Sequence, residues 1–199
     1  LVFALLSYVK LEGIVPKEKG KSITIKDAST KFLDKYSEKD FKKEDWLFPN
    51  SYKLMLMLQI AKRYQNIRLS HLVLEANEFS QFGALTIRTP FVTYISFEGT
   101  DSHVVGWKED FNMCFKSHIT SQKEAVKYLN ESAEKYPRKI RIGGHSKGGN
   151  LAVYAGLFTS KEIQERIINI YNNDGPGFDD EITQTEEYKK MITKVNKYI

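Results

Sequence analysis

"IRIGGHSKGGNLAVYAG", residues 140–156, decides how the chain is read. A short β-branched run meets glycines clustered around Ser146, and an apolar helix-forming segment follows. Gly144-His145-Ser146-Lys147-Gly148 satisfies G-x-S-x-G, the turn that lifts a nucleophilic serine above a sheet between a strand and a helix. A strand that reverses so sharply forces its central residue into strained backbone angles. Side chains two positions either side would collide, and Gly144 and Gly148 remove those collisions. The serine then sits at a helix N-terminus, where free N–H groups and the helix dipole favour negative charge. The Lys147 N–H is a candidate oxyanion donor. A phosphate-cradling loop is the competing reading, but neither the G-x-G-x-x-G nor the Gly-Lys-Ser/Thr spacing occurs here.

Outward from this turn, strand and helix patterns alternate. A helix is expected over "TSQKEAVKYLNESAEKY", with Thr120 or Ser121 as its cap and Pro137 past its end. Beyond the turn, "KEIQERI" reads as helix, "IINIYNND" as strand and "TEEYKKMITKVNKYI" as a closing helix. From residue 70 the period is two: "SHLVLEANEF", "GALTIR" and "FVTYISF" are strand-like runs separated by turn signals. Residues 1–12 look helical. "SITIKDASTKFLDKY" gives a short strand and a helix capped by Asp27 or Ser29, and "YKLMLMLQIAKRY" gives a helix capped by Asn50 or Ser51. Such alternation argues for βαβ units on a parallel sheet. The expected architecture is one three-layer α/β domain over residues 1–199, with a mostly parallel central sheet and an antiparallel trio at 71–97. The domain is expected to be incomplete at both ends and to lack a C-terminal strand with its histidine loop.

Composition excludes several classes. The 199 residues are 41% hydrophobic and 13% aromatic, enough for a globular core. Thirty basic residues are interleaved with 25 acidic ones, so the net charge of +5 reads as a solvated lysine-rich surface and not as a nucleic-acid footprint. Cys114 is the sole cysteine, which rules out an internal disulfide and a Cys-x-x-Cys zinc site. No metal or cofactor is expected. "LVFALLSYV" is too short to span a bilayer and has no cleavage site, so a cytoplasmic protein is expected. Oligomeric state is not set by the sequence.

The stretch "FVTYISFEGTDSHVVGWKEDF", residues 91–111, ends a strand at Gly99-Thr100. Thr100 is a candidate for the second oxyanion donor, which the loop after an earlier strand supplies in α/β hydrolases. "FEGT…W…DF", "YPRKIRIGGHSKGGNLAVYAG" and "IINIYNNDGPGF" together resemble the class 3 (fungal-type) lipases over roughly residues 70 to 180. They are closer still to a bacterial group of α/β-hydrolase-fold proteins carrying Gly-His-Ser-Lys-Gly-Gly-Asn and Asp-Gly-Pro-Gly-Phe, whose pattern reaches back to "LVFALLSYVKLEGIVP". The resemblance implies the α/β-hydrolase fold, a Ser-Asp-His triad and a small-molecule or lipid ester as substrate. Glu98 stands where those lipases have Arg, and Lys147 where they have Leu. At Lys147 two readings stay open: a polar mouth that contacts an anionic substrate, or a surface lysine with no role.

The base is the gap. His71, His103, His118 and His145 all precede Ser146, whereas α/β hydrolases run Ser, acid, His. Asp174 is the leading acid, at the end of the strand after the elbow, though Asp is favoured in a turn such as "NDGPG" in any case. Asp179 and Asp180 are weaker candidates, and in class 3 lipases the acid falls near where this chain stops, so it can lie beyond Ile199. His103 is a weak stand-in for the base; His145 is expected to point away from the active face. Two functional readings result: a serine hydrolase of carboxylic esters, and a catalytically inactive binding protein of the same fold. A lipid-surface role is a third, weaker one.

Overall fold

Residues of alternating character build a seven-stranded mixed sheet in which each strand neighbours the next in sequence. The computed structural model describes residues 1–41, 51–77, 80–100 and 118–199. His103 and Cys114 lie outside the described residues. The strands are β1 (Ile23–Thr24), β2 (Arg68–Ala76), β3 (Gln81–Arg88), β4 (Val92–Phe97), β5 (Lys139–His145), β6 (Ile167–Asn173) and β7 (Val195–Tyr198). The ladders from β1 to β4 are antiparallel, as the period-two trio predicts, and those from β4 to β7 are parallel. The parallel half holds the Ser146 turn.

Helices cover both faces, giving three layers. On β3, Phe82 and Ala84 face one core while Leu85 and Ile87 face the other, as a pleated strand requires. The first core is closed by α4 (Thr120–Lys135), α5 (Lys147–Phe158) and α8 (Glu186–Met191), through Leu129, Leu151, Ala155 and Met191 against Ile140, Ile142 and Ile170. The second is closed by α1 (Val2–Leu6), α2 (Ile25–Lys35) and α3 (Ser51–Ile60), through Leu6, Phe32, Met55 and Leu58. Full burial of Ile142 and Ile170 contributes about 1.5–3 kcal/mol each. Helix α5 is buried from Lys147 to Leu157, which explains why its sequence shows no polar stripe. Among the described residues, no helix is long and apolar enough to cross a membrane.

Three local expectations are corrected. Helix α2 is capped by Thr24, whose hydroxyl oxygen accepts from the Asp27 amide at 3.1 Å; Asp27 and Ser29 lie inside the helix. At α4 the Gln122 side chain reaches back to accept the Ile119 N–H at 2.9 Å, so neither Thr120 nor Ser121 is the cap. The closing helix stops at Met191, and after a 3₁₀ turn the chain enters β7, parallel to β6. Lys194 anchors that change by donating to the carbonyls of Gln164, in α6 (Lys161–Arg166), and of Ile167, both at 2.8 Å. Residues read as the end of a helix thus add a further parallel strand beside β6.

Candidate active site

At the end of β5 the chain turns straight into α5, and Ser146 is the residue in the turn. Its φ of 54° and ψ of −129° lie in a region costly for any residue with a Cβ. Main-chain hydrogen bonds hold it there. The Ser146 amide donates to the Asn173 carbonyl at 2.9 Å, and its own carbonyl accepts from Gly149 at 2.8 Å. The two elbow glycines have no space for a side chain. A Cβ on Gly144 would come within 2.4 Å of the Gly148 backbone, and one on Gly148 within 2.3 Å of the Phe97 carbonyl oxygen. The first turn of α5 thus rides directly against the end of β4.

That contact brings Thr100 to the same corner. A Cβ on Gly99 would fall 2.5 Å from the His145 carbonyl oxygen, so the Gly99-Thr100 turn lies against the peptide that precedes Ser146. Thr100 is 7% exposed and Ser146 half-buried. The turns that carry Ser146, Lys147 and Thr100 therefore meet where β4 and β5 end, at the carboxyl edge where open α/β sheets bind ligands.

Lys147 corrects both readings left open for it. Its side chain is neither at a mouth nor on the surface: the residue is 1% exposed, and Nζ donates to the Gln81 carbonyl at 2.9 Å. The first residue of a helix buried on all sides has only the interior to enter, and the long stem reaches the start of β3.

Asp174 also lies beside the elbow, one residue past the Asn173 carbonyl that binds Ser146. Its φ is 55°, its side chain is exposed, and its amide donates to the Tyr198 carbonyl at 2.7 Å. Asp179 is accounted for structurally, because its carboxylate accepts the Ile182 amide as the N-cap of α7 (Asp180–Thr183), and Asp180 opens that helix.

The three described histidines have other engagements. His145 packs beside Tyr8, whose hydroxyl donates to the His145 carbonyl at 3.1 Å and lies 3.3 Å from Nδ1. Burial lowers the His145 pKa, and the Asp174 carboxylate opposes that shift. His118 Nδ1 lies 2.7 Å from the Tyr154 hydroxyl, further along α5. His71 is buried at a bulge in β2 with φ 50°; it stacks on Tyr128 with ring centroids 4.3 Å apart, and its Nδ1 is 3.1 Å from the Ser132 hydroxyl. Burial and the Lys19 ammonium lower its pKa, against a weaker opposing pull from Glu131. None of these contacts places an imidazole on the Ser146 hydroxyl.

Side-chain amides and one tyrosine frame the site, and the sequence reading missed them. Asn173 Nδ2 donates to the Gly144 carbonyl at 2.8 Å, and Asn172 Oδ1 accepts the Gly175 amide at 2.7 Å. Asn150 Nδ2 donates to the carbonyls of Pro176 and Gly177, while its Oδ1 accepts from Gln122 at 2.9 Å. These bonds fasten the Asp174–Gly177 turn and the start of α4 to α5. Tyr8 comes from the opposite face, its hydroxyl filling the space over Gly99. Two clefts elsewhere, of about 370 and 290 Å³, are lined around Arg88, Tyr136 and Arg138 and around Phe3, Tyr94 and Arg141; neither includes Ser146.

Against known proteins, the family model that matches this chain is Mbeg1-like, over residues 58–199. No curated protein matches it. Among solved structures the chain is similar to a fungal lipase in complex with an inhibitor, described as a model for interfacial activation in lipases. Identity is 14% and the TM-score 0.43, over 63% of this chain. The chain spans 56% of that lipase.

Proposed function

This chain belongs to the Mbeg1-like family, and from that premise we propose that it is a serine hydrolase of carboxylic esters, lipase- or esterase-like, with Ser146 as nucleophile. The observation that carries the reading is the backbone of Ser146. A non-glycine residue held at φ 54° and ψ −129° between a strand and a helix stores strain, and strain of this kind clusters at active sites.

The chemistry runs in two acyl-transfer steps. The Ser146 Oγ attacks the ester carbonyl carbon and forms a C–O bond as its proton passes to a base. The carbonyl electrons move to oxygen, and the Thr100 and Lys147 N–H groups stabilise the resulting oxyanion. Its collapse breaks the bond to the leaving alkoxide, which takes the proton from the base and departs as alcohol. Water then repeats the sequence on the acyl-enzyme and releases the acid. Asp174 supplies a carboxylate at this corner. A histidine is the base that this chemistry calls for.

Labelling full-length protein with a fluorophosphonate probe tests the proposal. Ser146 is expected to carry the adduct, and Ser146→Ala to lose both labelling and hydrolysis of a short-chain p-nitrophenyl ester. Equal labelling of wild type and Ser146→Ala, or no labelling of wild type, overturns it. A folded wild type that fails to label supports the binding-protein reading, in which the elbow serves the fold alone.

A further inference from the structure

Both turns that meet at Ser146 are referenced to the same short piece of β3. Lys147, whose amide stands at the elbow, sends its side chain through the interior to donate from Nζ to the Gln81 carbonyl at 2.9 Å. Glu98, two residues before Thr100, donates its amide to the Gly83 carbonyl, also at 2.9 Å. The Glu98 side chain then lies so close over Gly83 that a Cβ there would fall 1.9 Å from Oε2. Gln81 and Gly83 are two residues apart on one strand, which pairs with both β2 and β4 and is buried at both positions.

The cation is an expensive way to fill that space. An interior lysine ammonium forfeits hydration and is retained only where fixed polar groups replace the water. An apolar side chain would be in keeping with α5, in which Leu151, Ala152, Val153 and Ala155 are all buried. What an apolar residue cannot do is form a directional bond to a main-chain carbonyl on β3.

We propose that the Lys147 side chain is a positioning residue: by bonding the Gln81 carbonyl it fixes the elbow amide relative to the Thr100 turn, with the Gln81–Gly83 segment of β3 as the common reference. This rests on the serine-hydrolase reading above. The Lys147 ammonium touches no reacting atom. It sets the separation of the two N–H groups that receive the oxyanion, and displacements of about 1 Å at such a site cost up to about 100-fold in rate.

Saturation kinetics of fluorophosphonate inactivation separate this role from a stabilising one. In Lys147→Met, which keeps the length of the side chain and loses the donor, the limiting inactivation rate is expected to fall about 10- to 100-fold. The half-saturating probe concentration stays within about twofold, and a melting curve reports that the variant is folded. Gly83→Ala is the second variant. Its added Cβ pushes the Glu98 arm from the other side and leaves the elbow sequence intact, so the same kinetic signature is expected from it. A folded Lys147→Met or Gly83→Ala that reaches the wild-type limiting rate overturns the proposal and leaves the Ser146 reading standing. Wild-type protein that does not label at Ser146 removes that reading and this one with it. If Lys147→Met does not fold, Gly83→Ala alone decides.

Discussion

Ser146 and Asn173 are joined across the ends of β5 and β6, and Asn173 also holds the strand that leads into the turn. The Ser146 amide donates to the Asn173 carbonyl at 2.9 Å, and the Asn173 side chain returns to the carbonyl of Gly144 at 2.8 Å. The strained turn is thereby tied to a strand that is itself paired on both sides. Asn173→Ala leaves the Gly144 carbonyl, at a buried glycine, without that donor. The expected cost is about 1–3 kcal/mol, read as a lower urea midpoint with an unchanged m-value. Asn173→Asp replaces the donor with an acceptor facing a carbonyl and is expected to cost more. A midpoint unmoved in both variants would show that the turn does not depend on this bond.

The strain at Ser146 has its own signature. Glycine adopts φ 54° without steric penalty, so Ser146→Gly relieves about 1–3 kcal/mol of strain against about 0.5–1 kcal/mol of added chain entropy. The net expectation is a protein more stable by about 1 kcal/mol that no longer labels with a fluorophosphonate. Ser146→Ala keeps the Cβ and the strain, so it loses labelling without that gain. Equal denaturation midpoints for the two variants would show that the backbone at Ser146 stores no usable strain.

Gly148→Ala is the opposite case. The new Cβ meets the Phe97 carbonyl oxygen at 2.3 Å and the Glu98 carbonyl carbon at 2.9 Å, main-chain atoms at the end of β4 and in the residue after it that cannot rotate away. A loss of more than about 3 kcal/mol is expected, at the far end of the range for single substitutions. Circular dichroism melting reads it directly. A variant within about 1 kcal/mol of wild type would contradict the close approach of α5 to β4.

Much of this was legible because each signal is the local form of a steric demand. Gly144, Ser146 and Gly148 mark a turn that admits no Cβ at its flanks, and the period of two marks β3 as a strand. Other features depend on groups distant in sequence. Whether Lys147 points to solvent or into the interior is decided by the crevice between α5 and β3, which only the folded chain creates. Asn172, Asn173 and Gln122 carry no motif, because most of their partners are main-chain groups that any residue supplies. Residues 195–198 are strand because β6 offers an open edge beside them, which the helical look of "TEEYKKMITKVNKYI" cannot reveal. Tyr8 reaches the elbow from the far face of the sheet, a contact spanning 137 residues.

His71 makes the stability of the fold depend on pH in a direction that can be worked out. Its imidazole is 4% exposed, stacked on Tyr128 and bonded to Ser132, with Lys19 and Glu131 as the charges facing it. Burial, reinforced by Lys19, outweighs Glu131 and holds the folded pKa below that of the unfolded chain, about 6.5. Between those two values the unfolded state binds more protons, so stability rises with pH there. The contribution of His71 is complete above about pH 6.5 and is lost as pH falls through the window down to the folded pKa. His145, also lowered by burial, acts in the same direction. Glu131 stays charged through this window, because its bond to Lys19 holds its pKa below the ordinary glutamate value. The urea midpoint is therefore expected to drop between about pH 7.5 and about pH 5.5. His71→Asn tolerates the positive φ and cannot take up a proton, so it is expected to show a shallower drop, with His145 supplying the remainder. Parallel curves for wild type and His71→Asn would mean that His71 titrates alike in both states and that its burial does not govern the acid side of stability.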